Sequence, residues 1–299
     1  MTTATALKSQ ASDPIVAVAA RIAEIGPKFD NDILETTRAL YAPLVAQQST
    51  AGVTVTADIA YGADPRQKLD LYRGAGQKLP VLVYIPGGGF VGGDKNFDGN
   101  FYGNLGTYFA KHGYLTVIAN YRLAPAHQYP AGSEDVASAI AWAKANAAAH
   151  GGDPARIIVW GQSAGSTHVA NYLFNPIFHS PAGADVVAGI LMSGPYKFSG
   201  PQRGNLVAYL GSDESQYENR SPITHVNKSK VPLLLSVAEY DPDYLAAPTF
   251  ELAAAVTRRD GKAPAIAYMT GHNHVSTVQS IGTAQDDVGS RIRAFLASF

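Results

Sequence analysis

Apolar and polar residues alternate over "GVTVTADIAY" (52–61) and again over "KLDLYR" (68–73), the pattern of antiparallel strands at a sheet edge. Further along the chain the alternation gives way to solid apolar runs: "LPVLVYI", "YLTVIANY", "RIIVWG", "VAGILMSG", "VPLLLSVAEY" and "PAIAYMTG". A strand covered on both faces has no polar side to show, so continuous runs predict a buried, mostly parallel sheet. Between several of them the period lengthens to that of a helix. "SEDVASAIAWAKANAAAHGG" opens on Ser133 as a capping residue and closes on glycine, and "SAGSTHVANYLFN", "TFELAAAVTRRDG" and "DDVGSRIRAFLASF" follow other apolar runs. Residues 14–48 also read as helical, with Asp13-Pro14 as N-cap and first-turn proline and with Ile33, Leu34, Thr37, Leu40, Tyr41 and Leu44 on one face. Strands alternating with helices imply an α/β fold with right-handed crossovers, and ligands in such sheets bind beyond the carboxyl ends of the strands.

Composition narrows the function. With 299 residues and 46% hydrophobic side chains the chain can bury a large core. A net charge of −1 argues against nucleic acid or an anionic membrane as the main partner. There is no cysteine, which excludes disulfides and thiolate metal sites and suits a reducing compartment. "MTTATALKSQASDP" lacks the basic-then-apolar order of a signal peptide, and no window reaches the ~20 apolar residues of a membrane span. A cytoplasmic protein is expected.

The chemistry should therefore sit at strand ends. "GQSAG" (161–165) fits G-x-S-x-G, follows the run "RIIVW" and precedes a helical stretch, the context of a nucleophile elbow. Gly161 and Gly165 would relieve the crowding of so sharp a bend, leaving Ser163 Oγ above the sheet and the Ala164 N–H at a helix N-terminus that favours negative charge. A serine hydroxyl needs a base. Of eight histidines, His272 and His274 in "GHNH" follow the last strand run, where a loop can reach back over the sheet. His168 lies in the helix of Ser163 and is expected to serve packing; His112 and His150 stand near helix ends. A carboxylate should orient the base. "AEYDPDY" offers Glu239, Asp241 and Asp243, of which Asp241 is favoured because it sits in a turn just past its strand. The order Ser163, Asp241, His274 is that of an α/β-hydrolase.

The glycines of "PGGGF" (86–90) admit two readings. Gly87 to Gly92 matches G-x-G-x-x-G, a dinucleotide fingerprint, but the next strand run ends "VIANYR" without the acid such a site requires. An oxyanion hole fits better, with the Gly88 and Gly89 N–H groups joining that of Ala164.

Taken together, "GGGF", "NYRLAP", the stretch from "YPAGSEDV" to "GQSAG", "AEYDP" and "GHNH" resemble the hormone-sensitive-lipase-like carboxylesterases of the α/β-hydrolase superfamily, from about Val81 to His274. The resemblance implies an α/β-hydrolase fold, a mostly parallel sheet with helices on both faces and a small helical cap. It implies hydrolysis of short-chain acyl esters without metal or cofactor. It matches Ser163 to the nucleophile, Asp241 to the acid, His274 to the base with His272 as the alternative, and Gly88, Gly89 and Ala164 to the oxyanion hole. Residues 1–50 would form an N-terminal helical segment contributing to the cap and 51–299 the catalytic domain. Two positions depart from the family pattern: Pro86 stands where histidine precedes the glycines, and Ser166 replaces the second glycine after the serine. Both leave an arylformamidase-like amidase as an alternative to the esterase. A third reading is a non-catalytic binding protein on the same scaffold, although neither nucleophile nor base is lost. The expected partner is a small-molecule ester, with neither nucleic acid nor membrane.

Overall fold

The structure, a computed structural model, describes residues 14–299, so the Asp13 cap lies outside the described residues. The chain opens with α1 (Pro14–Ile25) and α2 (Asn31–Val45) and then enters the sheet with β1 (Thr54–Ala60), β2 (Lys68–Arg73) and β3 (Leu79–Ile85). Next come α3 (Gly103–Lys111), β4 (Leu115–Ala119), α4 (Ala131–Asn146), β5 (Gly152–Gln162), α5 (Ala164–Phe174) and β6 (Ala188–Met192). Two short helices, α6 (Asn205–Leu210) and α7 (Tyr217–Arg220), precede β7 (Leu233–Tyr240) and α8 (Asp243–Asp260). The chain ends with β8 (Ala265–Asn273), α9 (Ser276–Gln279) and α10 (Asp287–Leu296).

Eight strands form one sheet in the order β1-β2-β4-β3-β5-β6-β7-β8. β2 runs antiparallel to both its neighbours and every other pairing is parallel. From β3 the chain crosses to β4 on one side and returns to β5 on the other. The sequence order reverses there, so the carboxyl ends of β3 and β5 open a crevice. Ile85 pairs with Gly161 at that point, which brings the glycine loop and the serine bend together.

The apolar runs fill both faces. Val81, Val83, Val117, Ile157 and Val159 pack under α4 and α5, while Leu82, Tyr84, Ile118, Ile158 and Trp160 pack under α3 and α10. Three expectations need correction. The helical stretch 14–48 is two helices, broken at Gly26, where φ is 65°. α4 begins at Ala131, with Ser133 buried inside its first turn instead of capping it. β8 is the sheet edge, and its apolar run is not covered on both faces: Ile266 and Tyr268 are exposed.

Candidate active site

β5 turns into α5 within one residue. Ser163 occupies that bend at φ 55° and ψ −126°, a region L-residues rarely adopt. The flanking glycines make it possible. A Cβ on Gly161 would lie 2.4 Å from the Gly165 carbonyl oxygen, and one on Gly165 would lie 2.2 Å from that of Ile85. The Ser163 N–H donates to the Met192 carbonyl at 2.9 Å, fastening the bend to β6. Ala164 is the first residue of α5, so its N–H lies among the helix donors that find no acceptor within the helix.

The loop after β3 closes against the bend. A Cβ on Gly87 would meet Ser163 Cβ at 3.0 Å, so only glycine lets the strands' ends approach this closely. Gly88 (φ 146°) and Gly89 (φ 58°) turn the chain, and Gly92 N–H closes the turn on the Gly88 carbonyl at 2.9 Å. The Gly88 and Gly89 N–H groups donate to no acceptor among the described residues.

Asp241 and His274 meet beyond the ends of β7 and β8. His274 Nδ1 lies 2.8 Å from Asp241 Oδ1, and both side chains are buried. The other carboxylate oxygen accepts from Ser193 Oγ at 2.6 Å and from the Ala238 N–H at 2.7 Å. Gln162 Nε2 donates to the His274 carbonyl at 3.1 Å and stands 3.4 Å from His274 Nε2. The Phe29 ring, in the turn between α1 and α2, lies 4.6 Å from the imidazole. No hydrogen bond joins Ser163 Oγ to His274 Nε2.

Two cavities meet at the serine, one of about 540 Å³ and one of about 430 Å³. Phe29, Gly89, Ser163 and Asn205 line both, whereas His274 lines only the smaller. Among the described residues no group of three or more His, Asp or Glu side chains is placed to hold a metal ion.

The BD-FAE family model matches residues 69–173. Esterase LipC of Mycobacterium tuberculosis is 34% identical over 199 residues, which cover 59% of this chain and 49% of LipC. Tuliposide A-converting enzyme b1 of Tulipa gesneriana is 38% identical over 135 residues, 42% of this chain and 34% of that enzyme. The chain thus spans less than two thirds of the length of these relatives. Among solved structures, a Pyrobaculum calidifontis esterase superposes with a TM-score of 0.70 at 22% identity, covering 96% of this chain and 97% of its own. Esterase B of Lactobacillus rhamnosis gives a TM-score of 0.70 at 18% identity, with 95% and 94% covered. The chain has the α/β-hydrolase fold. In sequence and architecture it resembles the esterases built on that fold.

Within this fold the two departures from the family pattern have local replacements. With Pro86 in place of histidine, the glycine loop is held from outside: Arg66 Nη2 donates to the Gly93 carbonyl at 2.9 Å, and Asn120 Oδ1 accepts from the Lys95 N–H at 2.6 Å. Lys95 Nζ then reaches Asp70 on β2 at 2.9 Å and Asp58 on β1 at 2.8 Å. Ser166 is buried, and its hydroxyl pairs with Tyr196 OH at 2.7 Å, which also accepts the Gly194 N–H.

The remaining candidates separate cleanly. His272 lies within β8, not in a loop after it; its ring nitrogens contact Ser276 Oγ at 3.0 Å and Asp287 Oδ1 at 2.9 Å, and it borders neither cavity. Burial opposes ionisation of the Asp287 carboxyl, but the His272 contact, its own backbone N–H and the Arg291 charge together hold the pKa below the usual value. Glu239 accepts the Gly271 N–H at 2.7 Å and ties β7 to β8. Asp243 opens α8 and lines the larger cavity. Of the aromatic residues, Phe29 and Phe90 line a cavity, while Tyr41 and Tyr196 are buried in the core. Four site residues escaped the sequence: Ser193 and Gln162, which contact Asp241 and His274, Asn205, which lines both cavities, and Arg38, which lines the smaller one. For Ser193 a signal existed, since it directly follows the run "VAGILM" and so stands at a strand end.

Proposed function

We propose that this protein hydrolyses carboxylic esters by acyl transfer through Ser163. The observation that carries the reading is the strained serine at the β5–α5 bend, sharing a cavity with an imidazole whose far nitrogen is held by a buried carboxylate. His274 Nε2 takes the hydroxyl proton as Ser163 attacks the ester carbonyl. Asp241 fixes the tautomer by accepting from Nδ1–H and stabilises the imidazolium that forms. The Gly88, Gly89 and Ala164 N–H groups receive the developing oxyanion, each such donor contributing ~3 kcal/mol at the transition state. His274 then gives its proton to the leaving alcohol, and water repeats the sequence on the acyl-enzyme. LipC and both structural neighbours are esterases, which supports the same bond for this chain.

Ser163→Ala should lower kcat on p-nitrophenyl acetate by on the order of 10⁴–10⁶-fold with an unchanged circular dichroism spectrum. A serine-directed phosphonate should label the parent chain at Ser163 and leave the variant unlabelled. Undiminished turnover in the variant would end the proposal.

A further inference from the structure

Two successive residues at the end of β6 reach the proposed nucleophile and the proposed acid. The Met192 carbonyl accepts from the Ser163 N–H at 2.9 Å, and the Ser193 hydroxyl donates to Asp241 Oδ2 at 2.6 Å. The second contact is made under strain. Ser193 is fully buried and stands at φ 49°, a region that few residues other than glycine adopt. Such a conformation persists only where the surroundings over-determine it. The Ser193 N–H donates to the Ser236 carbonyl on β7 at 3.0 Å. The next N–H, that of Gly194, donates to Tyr196 OH at 3.1 Å, and that hydroxyl lies 2.7 Å from Ser166 Oγ on α5. A Cβ on Gly194 would lie 2.7 Å from the Tyr196 ring and 2.9 Å from Ser166 Cβ, so glycine lets the ring fold over the turn. Ser166, which departs from the family pattern, thereby fastens the Ser193 turn to the helix that begins at the nucleophile.

What the strain secures is the direction of one O–H bond. The Asp241 side chain is fully buried, so its orientation is set by protein donors. Oδ1 faces His274 Nδ1, while Oδ2 accepts from Ser193 Oγ and from the Ala238 N–H. Ala238 stands three residues before Asp241 on the same strand end, and the Asp241 N–H returns a bond to its carbonyl at 3.2 Å. That pair therefore moves with the acid and does not fix it against the rest of the site. Ser193 comes from the neighbouring strand, the one that also holds the Ser163 bend. A hydroxyl 2.6 Å from a carboxylate oxygen makes the short, charge-assisted kind of bond. With Oδ2 tied to β6, the carboxylate plane is set, and with it the direction in which Oδ1 meets the imidazole.

We infer that Ser193 is a positioning residue for the acid: it holds the Asp241 carboxylate in the plane that orients His274, and the Ser166–Tyr196–Gly194 chain keeps Ser193 in the conformation that aims its hydroxyl. The inference rests on the ester-hydrolase reading, and the test separates the two. On p-nitrophenyl acetate, Ser193→Ala should lower kcat by about 10- to 100-fold, the scale of one charge-assisted hydrogen bond or of a slight misplacement of reacting groups, and leave KM within about twofold. Ser193→Gly relieves the strained φ without supplying a donor. It should be as slow as Ser193→Ala and at least as stable to urea. A double-mutant cycle with Asp241→Ala decides the route. Once the carboxylate is gone, Ser193→Ala should change the residual rate by less than about twofold. Tyr196→Phe, which takes the acceptor from Gly194, should lower kcat in the parent and add nothing in the Ser193→Ala chain. A Ser193→Gly chain as fast as the parent overturns the inference, and so does a Ser193→Ala loss that is undiminished without Asp241. Equal losses from Tyr196→Phe in both backgrounds overturn the chain that aims the hydroxyl. If the parent is active, Ser163→Ala is not, and Ser193→Ala matches the parent, only this inference falls. If the parent and Ser163→Ala are equally active, the ester-hydrolase reading falls with it.

Discussion

One residue near the site titrates far from its usual range. His168, one and a half turns into α5, is fully buried between the rings of Phe90, Tyr121 and Tyr209, at 5.4, 4.5 and 5.2 Å. Neither ring nitrogen has a hydrogen-bond partner. A Cβ on Gly132 would sit 2.3 Å from the imidazole, so α4 has no side chain to offer there. Burial alone pushes the pKa down to about 3. Unfolded, the group titrates near 6.5. Between those values the unfolded chain binds the extra proton, so this term of stability is complete above pH 6.5 and is lost as pH falls toward 3. From pH 7 to pH 5 the loss should be about 2 kcal/mol. Urea titrations at both pH values should show it in the parent chain, and His168→Leu should flatten the difference by that amount. An equal slope in parent and variant would mean the imidazole is protonated in the folded state.

At the scale of elements, the stretch "NYRLAP" has a structural job. Arg122 follows β4, and Asp135 lies in the first two turns of α4. The Arg122 N–H and Nε donate to the Asp135 carboxylate at 2.6 and 2.8 Å, and Gln67 Nε2 adds a third bond at 2.7 Å. Burial pushes the Asp135 pKa above its usual value despite these bonds. Arg122→Ala would leave a nearly buried carboxylate without its cation and should cost about 3–5 kcal/mol at pH 7. With the pKa raised further, the carboxyl protonates more readily when folded, so the cost should shrink toward pH 4. Equal losses at both pH values would point to packing instead of charge. This clamp also explains why "SEDV" misleads as a helix start. A serine followed by acids looks like a local cap, but the acid is there for an arginine some distance back along the chain. Strand interiors were legible because burial on both faces forces continuous apolar runs. Strand position in the sheet was not, so the edge character of β8 went unread. The same division holds in the site. Ser163, Gly88 and Gly89 announce themselves because a one-residue bend and a close approach exclude side chains. Arg38 and Asn205 stand in no motif, and only the folding of helices over the sheet places them in the walls of the cavities at the serine.

For the molecule as a whole, the question is whether α1 and α2 are an independent cover or part of the machinery. Their apolar faces, Val18, Ile22, Ile25, Tyr41, Leu44 and Val45, share one cluster with Phe101 from the loop before α3. Tyr41 OH donates to Gln285 at 2.9 Å, and Gln48 Nε2 donates to the Asn104 carbonyl at 2.9 Å. The decisive tie is Thr37, whose hydroxyl accepts from Asn273 Nδ2 at 3.0 Å with both groups buried. Asn273 precedes His274, and its Oδ1 accepts the Val275 and Ser276 N–H groups, shaping the turn that carries His274. An N-terminal helix therefore braces a C-terminal loop through one hydrogen bond. Thr37→Val keeps the shape and removes the acceptor, leaving a buried amide donor unpaired, so stability should fall by about 1–3 kcal/mol. Because the loosened turn holds His274, kcat on a p-nitrophenyl ester should fall more than KM rises. Thr37→Ser, which restores the oxygen, should recover most of both. A Thr37→Val chain as active as its parent but less stable would make the helices a cover alone; losses that recover together with serine would make them part of the catalytic frame.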